Sequence, residues 1–413
     1  MCGSIRLWGQ AVTTTDQPQS NITAAIVAGC LVAFIGFGFA ATFGVFLRPM
    51  SEDLGWGREV FSLSLAIQAL CWGVTQPLAG MVADKYGSAR VLAFGAVCSA
   101  LGFFLRGAVI DPTIFVASGV IVGIGTGACS FPVVIIALGK VVSAAQRSFV
   151  LGLGTAAAST GMFVAAPLST LLMTAFGWRT SILVIAASFL LILPTLYFIA
   201  RVSKPTATQE GGGFGFAIRT AFADRSYVLL FFGFFVCGFH VSFIQTHLPA
   251  YIADQGLAPI IGAISLGLIG LFNIAGSFAS GWSGQRYSKK SVLSGIYFVR
   301  ALVIGAFILT PISATSVYVF SALMGLLWLS TVPLTTGLVA QTQGLRFLST
   351  LAGLVFFSHQ TGAFIGAWLG GRLYDATGDY SAMWWTAIAL GLLATLLHMP
   401  IRETPGPLAK ASA

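Results

Sequence analysis

Seven polar or ionisable residues lie inside long apolar stretches of this 413-residue sequence. They are His240, Gln245, His247, Asn273, Arg300, His359 and Gln360. Histidine gains and loses a proton near neutral pH, and a guanidinium forms paired hydrogen bonds with carboxylates, amides or carbonyls. These residue types predict reversible proton binding and recognition of a polar or anionic small molecule.

The composition sets the environment of these side chains. The chain is 57% hydrophobic and only 8% charged, with a mean hydropathy of +0.91. Soluble domains are about 25% charged, so this chain is not a soluble protein. A bilayer core of about 30 Å needs roughly 20 apolar residues per helix, and runs of that length recur throughout. The short alternating segments of a transmembrane barrel are absent from the sequence. We therefore predict an all-α membrane protein.

Hydropathy divides the chain into twelve transmembrane helices. The predicted spans are 22–48, 58–82, 89–109, 113–139, 148–175, 178–200, 227–252, 259–283, 291–310, 315–342, 346–373 and 380–400. No acidic residue falls near the middle of any of them. The seven polar residues above all belong to the last six helices, so the polar chemistry is predicted in the C-terminal half.

The distribution of Lys and Arg predicts the orientation. With a cytoplasmic N-terminus, 15 of the 21 basic residues fall in inner segments, five fall in outer loops and Arg300 lies within a helix. The five outer ones are Arg48, Arg58, Arg106, Arg179 and Arg372. This bias predicts that both termini are cytoplasmic. The net charge of +9 then reflects topology, and no nucleic-acid partner is expected.

Two polar turns indicate an internal repeat. "GMVADKYGSAR" at 80–90 and "GWSGQRYSKK" at 281–290 align at an offset of 201 (281 minus 80), with Gln285 opposite Asp84. The most polar interruption, residues 201–226, separates the halves. We predict two pseudo-symmetric six-helix bundles related by an axis normal to the membrane. The predicted divisions are a cytoplasmic tail, an N-terminal bundle, a cytoplasmic loop, a C-terminal bundle and a second tail, at 1–20, 21–200, 201–226, 227–401 and 402–413.

The first turn resembles the loop signature of major facilitator transporters, G-x-x-x-D-(R/K)-x-G-x-(R/K)-(R/K), with a basic residue missing only at Ala89. The resemblance implies the major facilitator fold. It also implies that this loop is a latch holding the two halves together when the site opens outward. Its glycines would permit close backbone approach and its acid would face the positive end of a helix. The latch residues are Gly80, Asp84, Lys85, Gly87 and Arg90.

A second resemblance concerns the branch within that family. "FGFAATFGVFLRPMSEDLGW", "QRSFVLGLGTAAASTGMFVAAPLS" and "FGWR" are similar to monocarboxylate porters and oxalate–formate antiporters. The resemblance implies a central cavity lined by helices 7, 8 and 11, and their polar residues, with Arg300 of helix 9 at similar depth, are expected to face an apolar N-terminal wall. The expected members of this substrate site are Phe34, Phe37, Phe131, His240, Gln245, Asn273, Arg300, His359 and Gln360.

The implied function is secondary active transport of a small organic acid by alternating access, with proton-coupled uptake across a bacterial inner membrane. His240, His247 and His359 are the candidate proton carriers. Arg300 either attracts the substrate or braces carbonyls of neighbouring helices. That branch carries an arginine where this sequence has Ser277, so a neutral, zwitterionic or aromatic solute, taken up or exported, remains an alternative.

Other classes fit the sequence less well. No nucleotide-binding loop is present, and the six cysteines have no CxxC spacing, so neither a cofactor nor a metal is expected. A membrane-embedded enzyme would need a carboxylate pair or a serine–histidine dyad, and a sensor would need an output domain. We expect a monomer in the lipid bilayer whose partners are a small-molecule substrate and a proton.

Overall fold

The computed structural model describes residues 19–129, 133–134, 144–202, 214–344, 347–406 and 408. Every regular element with stated bounds in these ranges is a helix. The side chain of Asp84 lies outside the described part of the chain, and so does all of Phe131.

The N-terminal half begins with a helix interrupted by one 3₁₀ turn, Phe43–Phe46. A 47-residue helix later in this half bends at Gly177, whose φ of 78° and ψ of 163° are not helical. The bend makes two membrane crossings from one continuous segment. The helices are α1 Gln19–Thr42, α2 Leu47–Leu54, α3 Arg58–Tyr86, α4 Ser88–Ala108, α5 Pro112–Ala128, α6 Ala144–Leu190 and α7 Ile192–Val202.

The C-terminal half follows a short helix, α8 Phe214–Ala223, which lies within the predicted interdomain loop. Its fourth crossing is broken between two helices, near Trp328. The helices are α9 Arg225–Asp254, α10 Pro259–Arg286, α11 Lys289–Leu309, α12 Ala314–Leu327, α13 Thr331–Gln343, α14 Leu348–Thr377 and α15 Ser381–His398.

The helices agree with the twelve predicted crossings. Nine stretches of the described chain are long and apolar enough to span a membrane by length and composition. One of these, Gly152–Val202, contains the Gly177 bend and provides two crossings. The shorter apolar helix Pro112–Ala128 and the 30-residue helix α14 complete the twelve. The predicted all-α class with two six-helix bundles is confirmed.

The two halves meet along two pairs of helices, α3 with α14 and α6 with α10. Within the C-terminal half, α9 and α14 pack closely because glycines remove side-chain bulk between them. A Cβ atom added to Gly238 would overlap the carbonyl oxygen of His359, and one added to Gly362 would overlap that of Phe235. The backbones of these two helices are therefore in direct contact.

The repeated polar turns differ in their contacts. Gly87 ends α3 with a φ of 92°, which a side chain would disfavour. No atom of the described residues lies within 4 Å of a Cβ built on Gly80, so the predicted close approach at that glycine is not observed among them. Lys85 and Arg90 are exposed.

In the second turn, a carboxylate is contributed by Glu403, near the other end of the C-terminal half. One Glu403 oxygen accepts hydrogen bonds from the Ser288 hydroxyl at 3.0 Å and from the Lys290 amide at 2.6 Å. The Glu403 carbonyl accepts a hydrogen bond from the side chain of Gln341. The C-terminal segment thus supplies the start of α11 with the acid that the second turn lacks.

We expect Gly238→Ala to destabilise the protein, since its Cβ would overlap the backbone of α14; overpacking of this kind costs about 1–3 kcal/mol. Gly281→Ala is the matched control, because nothing lies within 4 Å of its Cβ position. Thermal unfolding of the protein in detergent measures both. Equal melting temperatures for the two variants would show that the backbone contact between α9 and α14 is unimportant for stability.

Candidate functional site

A bidentate salt bridge joins the halves at their outer ends, where "outer" denotes the side of the helices opposite the start of α1 and the end of α15. Arg58, the first residue of α3, donates from Nη1 and Nη2 to the two carboxylate oxygens of Asp254 at the end of α9, at 2.7 Å each. Only 9% of the Arg58 side chain is exposed. The same guanidinium lies over the Tyr374 ring, 3.6 Å from its centroid. We call these three residues, with Tyr380 and Asp375 described next, the outer gate.

Asp375 of α14 links the two halves at the outer gate by binding the backbone at the start of α3. Its carboxylate accepts from the amide nitrogens of Arg58 at 2.9 Å and Glu59 at 2.8 Å, so a residue of α14 caps the N-terminus of α3. The cap stabilises the positive end of the helix dipole. Glu59 in turn binds the Trp368 indole at 2.9 Å and Arg372 at 3.2 Å, both on α14.

A hydrogen-bond relay leads from the outer gate into α9. Arg58 donates to the Tyr380 hydroxyl at 2.9 Å, and that hydroxyl lies 3.0 Å from Nδ1 of His247. Nε2 of His247 lies 2.8 Å from the Ala367 carbonyl, so Nε2 carries a proton and donates to that carbonyl. The closed gate therefore gives both ring nitrogens of His247 a hydrogen-bond partner.

An aromatic cluster lies deeper, where the halves meet. Trp72 of α3 contacts Phe37 of α1 at 6.4 Å and Phe356 of α14 at 5.9 Å between ring centroids, both edge to face. The His359 ring stacks on Phe356 at 5.7 Å and contacts Phe234 at 4.9 Å. Rings from both halves thus meet beside one histidine at the interface.

Gln360 continues this interface. Its Oε1 lies 3.1 Å from Nδ1 of His359, and its side chain packs on Gly73 of α3. Since Oε1 can only accept, Nδ1 of His359 is the donor in this hydrogen bond. Nε2 of Gln360 is buried without a hydrogen-bond partner among the described residues. We call Phe37, Trp72, Phe356, His359 and Gln360 the central cluster.

Two side chains, Asn273 and Arg300, form hydrogen bonds with the backbone at the break between α12 and α13. The Asn273 Oδ1 accepts from the Leu329 amide at 3.0 Å, and its Nδ2 donates to the Ser159 hydroxyl of α6, in the other half, at 2.9 Å. Arg300 donates to the carbonyls of Leu327 and Trp328. The side chains of Asn273 and Arg300 therefore replace the helical hydrogen bonds that the break removes.

Arg300 is fully buried and contacts the thiol of Cys237, with Nη1 3.4 Å from Sγ. The Thr331 hydroxyl lies 3.2 Å from the same sulfur. No hydrogen bond or ion pair joins Arg300 to a carboxylate within the part of the chain that the structure describes. Its geometry matches the predicted alternative in which it braces helix carbonyls.

Arg106 is a second buried guanidinium, and its predicted place in an outer loop is wrong. It lies in the last turn of α4 with no exposed surface, donating to Ser64 at 3.0 Å and Ser118 at 3.3 Å. Three phenylalanine rings surround it, with Phe43 at 4.8 Å. The predicted span 89–109 contains this residue. The count of basic residues assigned it to the loop because such a count does not distinguish the last turn of a helix from the loop that follows.

The predicted polar residues come together only in part. Among the described side chains, Arg300 and His359 both interact with the Cys237 thiol, and Arg300 lies close enough to His240 for an electrostatic interaction. His240 contacts α15, where its Nε2 lies 2.8 Å from the Ala387 carbonyl. Gln245 is partly buried in α9, with its Nε2 unpartnered in the described structure. Phe34 packs its backbone on Gly161. His359 and Gln360 also lie with Phe37 at the interface between the halves, and Asn273 reaches Ser159 across it. Gln245 and Phe34 make separate contacts.

Sequence reasoning missed Trp72, Phe356 and the outer gate. Trp72 and Phe356 are apolar residues in apolar helices, so nothing in composition distinguishes them. The sequence did contain an indication of the outer gate, because Arg58 and Asp254 are opposite charges at the outer ends of helices in different halves. In the sequence, the charge of Arg58 contributes only to the prediction of orientation.

We expect Arg58→Ala to loosen the outer side, because it removes two charge-assisted hydrogen bonds, each worth about 1.5–3 kcal/mol, and leaves Asp254 without its bidentate partner. Hydrogen–deuterium exchange of the protein in nanodiscs should rise several-fold at the outer ends of α3 and α9 and stay unchanged at their inner ends. Arg48→Ala is the control, since Arg48 lies 4.0 Å from Asp254 and bonds mainly to Glu52. Similar exchange in both variants would contradict the gate.

Comparison with known proteins places this geometry in a family. Residues 29–367 match the family described as Major Facilitator Superfamily. An uncharacterized MFS-type transporter, YcxA of Bacillus subtilis (strain 168), is 25% identical over 381 residues, covering 88% of this chain and 91% of its own length.

Further relatives have more specific names. Monocarboxylate transporter 13 of Rattus norvegicus is 24% identical over 379 residues, covering 88% of this chain and 86% of its own. Monocarboxylate transporter 4 of Mus musculus is 24% identical over 407 residues, covering 93% and 84%. The crystal structure of a mutant form of the nucleoside transporter NupG shares the fold with a TM-score of 0.75 at 13% identity, covering 92% of this chain and 99% of its own. Together with the twelve helices in two halves, these matches show that the chain is a multi-pass membrane transporter of the Major Facilitator Superfamily.

Proposed function

We propose that this protein moves a small organic acid together with a proton across a cell membrane by alternating access, in the direction of uptake. The observation that carries the proposal is the central cluster, which places a histidine and an unpartnered amide donor beside aromatic rings of both halves, within the part of the chain that is described. An amide N–H is a group that a carboxylate satisfies, and the rings suit an apolar body.

The charge distribution supports an anionic substrate. Arg106 and Arg300 are fully buried, one in each half, and neither is paired with a carboxylate among the described residues. Two such cations make the apolar interior electropositive, because no paired negative charge cancels them. A carboxylate entering between the halves gains from that potential, and a proton that travels with it reduces the cost of carrying charge through the membrane.

His359 is the proton carrier that the geometry favours. It lies at the interface of the halves and keeps 7% of its surface exposed, whereas His240 has none and His247 has 1%. His240 and His247 each bind a backbone carbonyl within the C-terminal half. Of the three predicted carriers, His359 alone contacts Phe356 and Gln360 of the central cluster.

The outer gate supports alternating access. It closes one side through charges contributed by opposite halves, so separating the halves must break it. The charge bias along the sequence supports a cytoplasmic N-terminus and C-terminus, which assigns the gate to the outside of a bacterial inner membrane. The latch at Gly80–Arg90, the loop at 201–226, the division of the chain and the monomeric state remain predictions.

Uptake into liposomes tests the proposal. A labelled monocarboxylate is added outside purified protein in liposomes, with competing carboxylates, amino acids and neutral solutes, with and without an inside-alkaline pH gradient. We expect uptake that rises with the gradient and is blocked by monocarboxylates. If only neutral or zwitterionic solutes enter or compete, the organic-acid proposal is wrong and the alternative opened by Ser277 holds.

His359→Ala should abolish the response to the pH gradient while substrate exchange continues, because exchange needs binding but no net proton movement. His240→Ala is the control and should keep most of the response. The measurement is the ratio of uptake with and without the gradient. A full response in His359→Ala, or an equal loss in both variants, would remove His359 from the proton pathway.

Trp72→Ala should raise the half-saturating substrate concentration about tenfold, because losing an aromatic contact of about 1.4 kcal/mol changes affinity by that factor. Trp282→Ala is the matched control, since Trp282 is 51% exposed near the inner end of α10. Concentration-dependent exchange gives both values. An unchanged half-saturation in Trp72→Ala would exclude the central cluster as the binding site.

A further inference from the structure

A cavity of about 220 Å³ lies beside the outer gate, at the outer ends of α9, α11, α14 and α15. Its walls combine aromatic rings with carboxylates, and all of them belong to the C-terminal half. The groups that define it are Tyr251, Tyr374, Tyr380, Trp384, Asp254 and Asp379. The central cluster does not use this cavity, whereas Asp254, Tyr374 and Tyr380 of its wall also belong to the outer gate.

One wall of the cavity already holds an organic cation. The Arg58 guanidinium lies 3.6 Å from the centroid of the Tyr374 ring and 5.5 Å from that of Tyr380. Its two amino groups bind both oxygens of Asp254. Stacking on aromatic faces with a bidentate carboxylate is the arrangement that recognises guanidinium and alkylammonium groups. Arg58 comes from the N-terminal half, so it behaves as a tethered ligand of the other half.

The binding groups remain in place when Arg58 leaves. Tyr380 contacts Tyr374 at 4.8 Å between ring centroids and holds His247 through its hydroxyl, all within the C-terminal half. Tyr251 contacts Trp384 at 5.3 Å and narrows the opposite wall. When the halves separate at the outside, the rings and Asp254 move together as one preformed cage.

The charge of the vacated cage is negative. Asp254, Asp375 and Asp379 belong to the C-terminal half, whereas the cations that pair with Asp254, Arg58 and Arg48, belong to the N-terminal half. Opening therefore removes both cations that pair with Asp254 and leaves three carboxylates, with Arg372 of α14 as one cation that stays on this half. Ring faces are poor ligands for hard metal ions, which prefer oxygen atoms, so the chemistry favours an organic cation over an inorganic one.

We propose that the outer face of the C-terminal half carries a binding site for a small organic cation, a guanidinium or an alkylammonium, that competes with Arg58 for Asp254 and Tyr374. The cavity shares Asp254, Tyr374 and Tyr380 with the groups that hold the Arg58 guanidinium, and it is the adjacent space for the body of such a molecule. Occupancy from outside replaces the tethered guanidinium, keeps the outer side open and thereby inhibits the cycle. The site does not depend on which substrate the central cluster binds.

Direct binding tests the proposal with methylguanidinium as the probe. The protein in nanodiscs is titrated by isothermal calorimetry, as wild type and as Arg58→Ala, which vacates the cage in every conformation. We expect Arg58→Ala to bind at least tenfold more tightly than wild type, and Arg58→Ala with Asp254→Asn to lose the gain. Arg48→Ala should bind like wild type, and urea, the neutral analogue of guanidinium, should not bind.

Hydrogen–deuterium exchange on the wild-type protein needs no variant to fold. Methylguanidinium should raise exchange at the outer ends of α3 and α9, and sodium chloride at the same ionic strength should not. Equal affinity in wild type and Arg58→Ala, binding of urea, or retention of binding after Asp254→Asn would each overturn the proposal. Failure of monocarboxylate uptake would leave it untouched, because these measurements contain no transport substrate.

Discussion

The hydrocarbon of a membrane offers no water to an unpaired polar group, and this constraint governs where the polar side chains of the protein are found. The break between α12 and α13 exposes carbonyls and an amide that a continuous helix would have paired. Arg300 and Asn273 satisfy these groups. Because Asn273 also binds Ser159 across the interface, the unwound turn is connected to the opposite half. The break between α12 and α13 and the contact between the two halves therefore depend on the same hydrogen bonds of Asn273.

Much of the fold could be predicted, because bilayer thickness fixes helix length and repeated turns mark the two halves. The twelve crossings and the family follow from that. The candidate site was harder, since hydropathy says where a residue lies along a helix but not in which direction its side chain points. His240 and His359 were predicted alike, yet one packs against α15 and the other contacts the rings of the interface.

A charged residue at a helix end can mark the orientation of the helix or can form a structural contact, and the sequence does not distinguish these two roles. Arg58 and Arg106 both count as outer positive charges in a topology argument. In the structure Arg58 joins the halves and Arg106 is enclosed by serines and phenylalanine rings. Each role depends on residues that other helices contribute, such as Asp254 for Arg58 and Ser118 for Arg106. The pairing therefore emerges only after the helices have packed.

The contact between the Glu403 side chain and the start of α11 has a consequence for biosynthesis. Glu403 completes the first turn of a helix that begins more than a hundred residues earlier, at Lys289. A ribosome delivers these two segments to the membrane in order, so α11 enters the bilayer before its cap has been translated. The start of α11 therefore gains its hydrogen bonds to Glu403 only after the last helix, α15, has been translated, which makes this contact a late event in membrane insertion.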